Sequence, residues 1–131
     1  MYIMGADLNF TKPSVLVLIN KDTSQVVFSE VYVSSLKEPM NRIWRYFKEY
    51  KPMSLFYDEQ SIGSVDGYLP SGWPIRFKKQ MVEDVHAAID RGAITLPFSG
   101  GWSAINPDEH DAYALAWYGL HFNAWGMIEF P

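Results

Sequence analysis

Short apolar, β-prone runs separated by polar turn residues fill the first 33 positions, and three later stretches carry apolar residues at helical spacing. Tyr2 to Phe10 predicts a first strand, with Gly5 and Ala6 small enough for close packing and Asp7 near its end. Thr11-Lys12-Pro13-Ser14 interrupts it. Val15 to Ile19 is strongly β-prone, Asn20 to Ser24 turns, and Gln25 to Val33 returns, so a three-stranded antiparallel meander is expected. Met40, Ile43, Trp44 and Phe47 then fall at i, i+3, i+4 and i+7, with Arg42, Arg45, Lys48 and Glu49 opposite. That spacing predicts an amphipathic helix over about 35–50 that buries Trp44 and Phe47, and Ser35 with Glu38 has the spacing of a capping box. The run from Met53 to Tyr57, between Pro52 and Gly63, is too short for a helix and predicts a buried fourth strand. Its connection to the first strand through a helix favours parallel pairing.

Beyond Gly63 the residues up to Pro74 are rich in turn formers and predict a loop with at most one helical turn. Ile75 to Phe77 reads as a short strand. Met81, Val82, Val85, Ala88 and Ile89 set a second helix over 78–90, closed by Gly92, and Ala93 to Pro97 predicts an edge strand because proline cannot donate to a ladder. Ser99 to Ser103 is a flexible connection. A last helix starts at about Pro107, opens with Asp108, Glu109 and Asp111, and continues into apolar residues. The tail over 123–131 is apolar without helical period and is expected to dock on a neighbour.

Composition narrows the chemistry. With 131 residues and 48% hydrophobic content, one domain over 1–131 with a sizeable core is expected. No apolar run reaches the length of a membrane span and the opening residues lack a basic, signal-like segment, so a soluble cytoplasmic protein with no membrane partner is expected. The absence of cysteine excludes disulfides and thiolate sites, leaving carboxylates and three histidines as ligands, a set suited to hard ions such as magnesium or manganese. A net charge of -4 argues against gripping nucleic acid by bulk electrostatics, although a local basic face remains open.

A carboxylate does not belong inside a buried strand, so Asp58 and Glu59 mark the place where the fourth strand meets solvent, metal or substrate. If the first and fourth strands are parallel neighbours, Asp7 and Glu59 emerge side by side and Asp111 approaches from the last helix. Strand alternation then turns Asp58 away. Three such carboxylates would hold two divalent ions of the kind that promote phosphodiester hydrolysis. Asp108, His110 and Asp58 form a second tier. Each acid also has a plainer reading, since acids at a helix start complement its dipole. His86 and His121 read as structural. Lys12, Lys78 and Lys79 are candidate phosphate contacts, although Lys78 and Lys79 equally suit a solvated helix start.

The strand-strand-strand-helix-strand order, with acids on the first strand, fourth strand and last helix, resembles the RNase H-like nuclease superfamily. Within it the chain looks most like the nuclease domain of phage large terminase subunits, on Glu59-Gln60-Ser61-Ile62-Gly63, on His110-Asp111-Ala112, and on Lys78-Lys79-Gln80-Met81 leading to Gly92 and Pro97. The resemblance spans nearly the whole sequence. It implies an α/β fold, with a mixed sheet of an antiparallel three-strand meander plus parallel strands, flanked by helices. It also implies a Mg2+- or Mn2+-dependent endonuclease using two ions held by Asp7, Glu59 and Asp111. The partners it implies are double-stranded or branched DNA and a packaging ATPase domain or other phage protein, in the cytoplasm of an infected cell. Ala112 departs from the pattern, standing where many terminases carry a second Asp, which puts the second metal in doubt or passes it to Asp108. No Gly-rich loop of an ATPase motor is present. RuvC-type Holliday-junction resolvases share the fold, the Glu-Gln pair and the acid-Ala ending, and are the alternative, but they carry a longer helical region after the Glu. An RNase H-like module with a decayed site, serving DNA binding or assembly, is a third reading, supported by the acidic net charge.

Overall fold

A computed structural model describes residues 1–33, 35–59, 69–70 and 72–121. The strands are β1 (Tyr2–Asp7), β2 (Ser14–Asn20), β3 (Gln25–Tyr32), β4 (Ser54–Asp58) and β5 (Gly72–Ile75). Helix α1 (Lys37–Glu49) precedes β4, and α2 (Lys79–Asp90) and α3 (His110–Leu120) follow β5, with single 3-10 turns at Gly101–Ala104 and Pro107–Glu109. The sheet order is β3-β2-β1-β4-β5, with β2 antiparallel to both β1 and β3, and β4 parallel to both β1 and β5. This is the RNase H-like mixed sheet, and β1 is its centre.

Strand alternation gives the sheet two apolar faces. Ile3, Val15, Val17, Ile19 and Phe56 face α2 and α3, whereas Met4, Ala6, Leu16, Leu18, Leu55 and Tyr57 face α1. Both sides of β1 and β4 are covered, so these strands are apolar throughout rather than alternating. Polar groups tie α1 to the meander: the Tyr32 and Tyr46 hydroxyls both donate to the Glu30 carboxylate. Helix α2 stops where Gly92 takes φ +77°, a conformation open to glycine, and the Ala93 amide donates to the Ala88 carbonyl at 2.8 Å. Among the described residues no helix is long and apolar enough to cross a membrane.

Several local expectations fail for identifiable reasons. The residue before α1 is Leu36, not Ser35, and no side chain caps the helix, so the capping box of Ser35 and Glu38 does not form. Trp44 is 47% exposed, because Ile43 and Tyr46 already fill the narrow stripe of α1 that meets the sheet; Phe47 is partly buried. The fifth strand is Gly72–Ile75 rather than 75–77, and Pro74 is tolerated because β5 lies at the sheet edge. Ala93 to Pro97 makes a single bridge, Thr95 with Gln25, instead of a strand. The loop expected after Gly63 falls largely, and the tail over 123–131 wholly, outside the described residues.

Candidate active site

Three carboxylates reach one edge of the sheet by different routes. Residues Gly5 and Ala6 of β1 lie beside Phe56 and Tyr57 of β4, so the next step along both parallel strands sets Asp7 beside Asp58. Paired residues on neighbouring strands share a face, here the face covered by α3. The helix comes close because Gly5 has no side chain. A Cβ there would lie 2.5 Å from the Ala112 carbonyl oxygen and 2.6 Å from the Ala116 nitrogen, well inside contact distance. Farther along α3, a Cβ on Gly119 would strike Ile3 and Phe56. Helix α3 therefore runs opposite to β1, and its first turn, carrying Asp111, sits at the carboxyl ends of β1 and β4.

Electrostatics register the convergence. The Asp7 carboxyl is pushed up to about 6 by burial first and then by repulsion from Asp111, with a smaller push from Asp58; a hydrogen bond from Asn9 and the charge of Lys12 act in the opposite sense. The Asp111 carboxyl is likewise raised, by burial and then by Asp58, with His110 and Lys12 offsetting. Asp58, expected to face away, is thus the β4 acid coupled to both others. Glu59 follows the strand in a helical turn, is exposed, and is not among the groups that act on Asp7 or Asp111. The expected register is off by one residue: alternation from Phe56 puts Asp58, not Glu59, on the α3 face beside Asp7.

The surrounding candidates separate clearly. Lys12 lies on the β1–β2 loop close enough for its charge to reach Asp7 and Asp111. That loop is pinned where the Asn9 amide donates to the Ser14 hydroxyl at 2.9 Å and the Asn9 side-chain amide donates to the Pro13 carbonyl at 3.0 Å. Asp108 is exposed, and its backbone amide donates to the Asn106 side chain at 3.0 Å, which caps the 3-10 turn before α3. His110 stacks on Trp102 with ring centroids 4.0 Å apart, and His86 also stacks on Trp102, at 4.7 Å. The His110 Nε2 is buried without a hydrogen-bond partner among the described residues. Lys78 and Lys79 are exposed at the start of α2. Sequence reasoning missed Asn9 and Trp102; the Asn9-x4-Ser14 hairpin was a usable signal for the first, whereas the second depends on contacts between distant elements.

An all-oxygen donor set whose members repel one another suits a hard divalent cation, which would relieve the repulsion. Among the described residues, however, no three His, Cys, Asp or Glu side chains are gathered closely enough to hold one ion. The carboxylates form an electrostatic cluster rather than a closed coordination shell.

This sheet topology is the RNase H-like fold, and solved structures of two kinds share it. The large terminase nuclease of thermophilic phage G20c is 15% identical, with 89% of this chain matching 81% of that one at a TM-score of 0.74. The large terminase nuclease domain of bacteriophage SPP1, solved with bound manganese, is 16% identical over 88% of this chain and 84% of its own, at a TM-score of 0.60. RuvC of T. thermophilus, solved with a Holliday junction substrate, is 16% identical over 92% and 94%, at a TM-score of 0.59. No family model matches the sequence. No curated protein matches it either.

Proposed function

We propose that this chain is a divalent-metal-dependent DNA endonuclease of the phage terminase kind, in which Asp7, Asp58 and Asp111 hold the ions. The observation that carries this reading is the raised pair Asp7 and Asp111, each repelled by Asp58, at the carboxyl edge of β1 and β4. Magnesium or manganese, when bound there, would supply an activated water and charge stabilisation for phosphodiester hydrolysis. The chain's own residues do the positioning. Asp7, which both other acids repel, is the natural shared ligand, Asn9 orients it, and the Gly5 contact fixes the approach of Asp111. Lys12 would attract the phosphate that the carboxylates alone would repel. Glu59, exposed one residue past Asp58, would serve as a reserve ligand. Double-stranded or branched DNA is the proposed substrate, and a packaging ATPase or other phage protein is the proposed partner, in the cytoplasm of an infected cell.

A second reading, a module with a decayed site, draws on the open arrangement of the acids among the described residues. The resolvase reading draws on the likeness to RuvC. Supercoiled plasmid and four-way junctions, each incubated with manganese and with EDTA, separate the three. Plasmid nicking in manganese that EDTA abolishes is expected. Symmetric junction cutting without plasmid nicking would favour the resolvase, and inertness on both substrates would leave the module.

A further inference from the structure

The directions of the strands bring a second charged surface to the edge that carries the carboxylates. β1 and β3 are both antiparallel to β2, so they run the same way, and the chain leaves β3 for α1 at the edge where Asp7 and Asp58 emerge. On the first half of α1, the helix that covers the other face of the sheet, lies a groove of about 470 Å³ lined by Ser35, Lys37, Glu38, Asn41, Arg42 and Arg45. Lys37, Asn41 and Arg45 are spaced four residues apart and stack along one side of the helix. Arg42 closes the groove beside them.

Three cations meet a single acid there. No carboxylate among the described residues makes an ion pair with Lys37, Arg42 or Arg45, although Glu38 and Glu49 lie one helical turn from Arg42 and Arg45. In a chain of net charge -4, acids to neutralise these side chains are plentiful, yet the fold leaves the groove positive. Two guanidinium forks, an ammonium, an amide and a hydroxyl form a donor-rich lining that matches phosphate oxygens. Lys12, on the loop at the same edge, continues positive charge toward the site.

We propose that the groove of Lys37, Arg42 and Arg45 binds the phosphodiester backbone of the nucleic acid on one side of the cleaved bond. The proposal rests on the nuclease reading and adds where the substrate runs. Charge complementarity selects the occupant: the groove offers excess positive charge and hydrogen-bond donors matched to phosphate oxygens.

The test compares two triple variants in the Asp7→Asn background, which prevents cutting during binding. Lys37→Gln/Arg42→Gln/Arg45→Gln empties the groove, whereas Lys21→Gln/Lys48→Gln/Lys51→Gln removes the same charge from the opposite end of the sheet. Binding of a fluorescent DNA duplex is followed by anisotropy between about 50 and about 200 mM salt. The groove variant is expected to bind about tenfold or more weakly, with the slope of log affinity against log salt reduced by about 2 to 3, and to melt like its parent. The control variant should change the slope by less than about 1. Equal weakening in both variants would mean that bulk charge alone acts, and unchanged binding by the groove variant would leave the groove to an acidic protein surface; either result overturns the proposal while plasmid nicking by the unsubstituted protein keeps the nuclease reading. An unsubstituted protein that neither binds duplex nor nicks plasmid removes both.

Discussion

Helices α3 and α1 cover opposite faces of the same sheet by opposite means. In α3 every residue from Ala112 to Trp117 is buried, and small residues let its backbone rest on Gly5 of β1. In α1 only Pro39, Ile43 and Tyr46 are buried, and the rest of its surface carries charge outward. Contact through missing side chains leaves α3 almost no freedom to shift, since any displacement opens a void or forces an overlap. Contact through one apolar stripe leaves α1 positioned but tolerant. On the proposed reading, the acid that needs accurate placement, Asp111, sits on α3, and the cations that need only reach a flexible polymer sit on α1.

The largest effect should follow loss of the acid that both others repel. Asp7→Asn is expected to reduce plasmid nicking on the order of a thousandfold or more in both magnesium and manganese, equivalent to about 4 kcal/mol of barrier. Folding should survive. Nicking by Asp7→Asn at the parental rate would make Asp7 a structural residue and remove the metal assignment.

Next comes the choice between neighbouring acids on β4. Asp58→Asn should reduce nicking by about a hundredfold or more, whereas Glu59→Gln should stay within about tenfold of the parent. The reverse ranking would restore Glu59 as the ligand and require a bulge at the end of β4 when metal binds, since alternation alone turns Glu59 to the α1 face.

The α3 contact can be broken at a single atom. Gly5→Ala drives a methyl group into the Ala112 carbonyl and Ala116 nitrogen, and backbone cannot rotate away as a side chain can. A loss of about 1–3 kcal/mol in urea unfolding is expected, with weaker manganese stabilisation because Asp111 is displaced. A Gly5→Ala protein as stable as the parent would show that α3 does not rest on β1 as described.

The same cluster carries a signature in pH. Burial and the neighbouring acids hold the Asp7 proton in the fold up to about pH 6, against 3.8 for the unfolded group. A raised carboxyl pKa means that charging Asp7 costs stability: the cost is absent below about pH 4, grows as pH rises and is complete above about 6. Without metal, Asp7→Asn should therefore be more stable than the parent at pH 7, by about 1–3 kcal/mol, and lose that advantage by pH 4. Paired thermal melts across that interval check it, and an advantage independent of pH would trace to something other than the charge.

How far the fold could be read from the chain follows from how local each signal is. The meander, the crossing α1, the parallel β1–β4 pair and the opening of the last helix at Pro107 all rest on periodicity or on single punctuating residues, and these are legible in one dimension. The β4 acid was missed because an error of one residue at a strand end inverts which acid faces α3. The stack of His86, Trp102 and His110 joins three separate elements, so no spacing announced it. The groove on α1 was visible only as a charged helix face. Its meaning depends on which edge of the sheet α1 starts from, and that is a property of strand directions.

The smallest effect tests the tolerant face. Ile43 and Trp44 are adjacent on α1 and both have helical spacing with Met40 and Phe47, so periodicity treats them alike. The fold does not: Ile43 is fully buried and Trp44 is 47% exposed. Ile43→Ala should cost about 2–5 kcal/mol, since it removes buried methyl groups and leaves a cavity between α1 and the sheet. Trp44→Ala removes the larger side chain, yet much of its surface already faces water, and a cost of about 1 kcal/mol or less is expected. Chemical denaturation of the two variants gives the comparison directly. If Trp44→Ala proved as damaging as Ile43→Ala, α1 would be rotated about its axis from the orientation described, and the side carrying Lys37, Arg42 and Arg45 would point elsewhere. Because the apolar stripe and the cationic side of one rigid helix turn together, this modest stability difference also checks the orientation on which the phosphate-binding proposal depends.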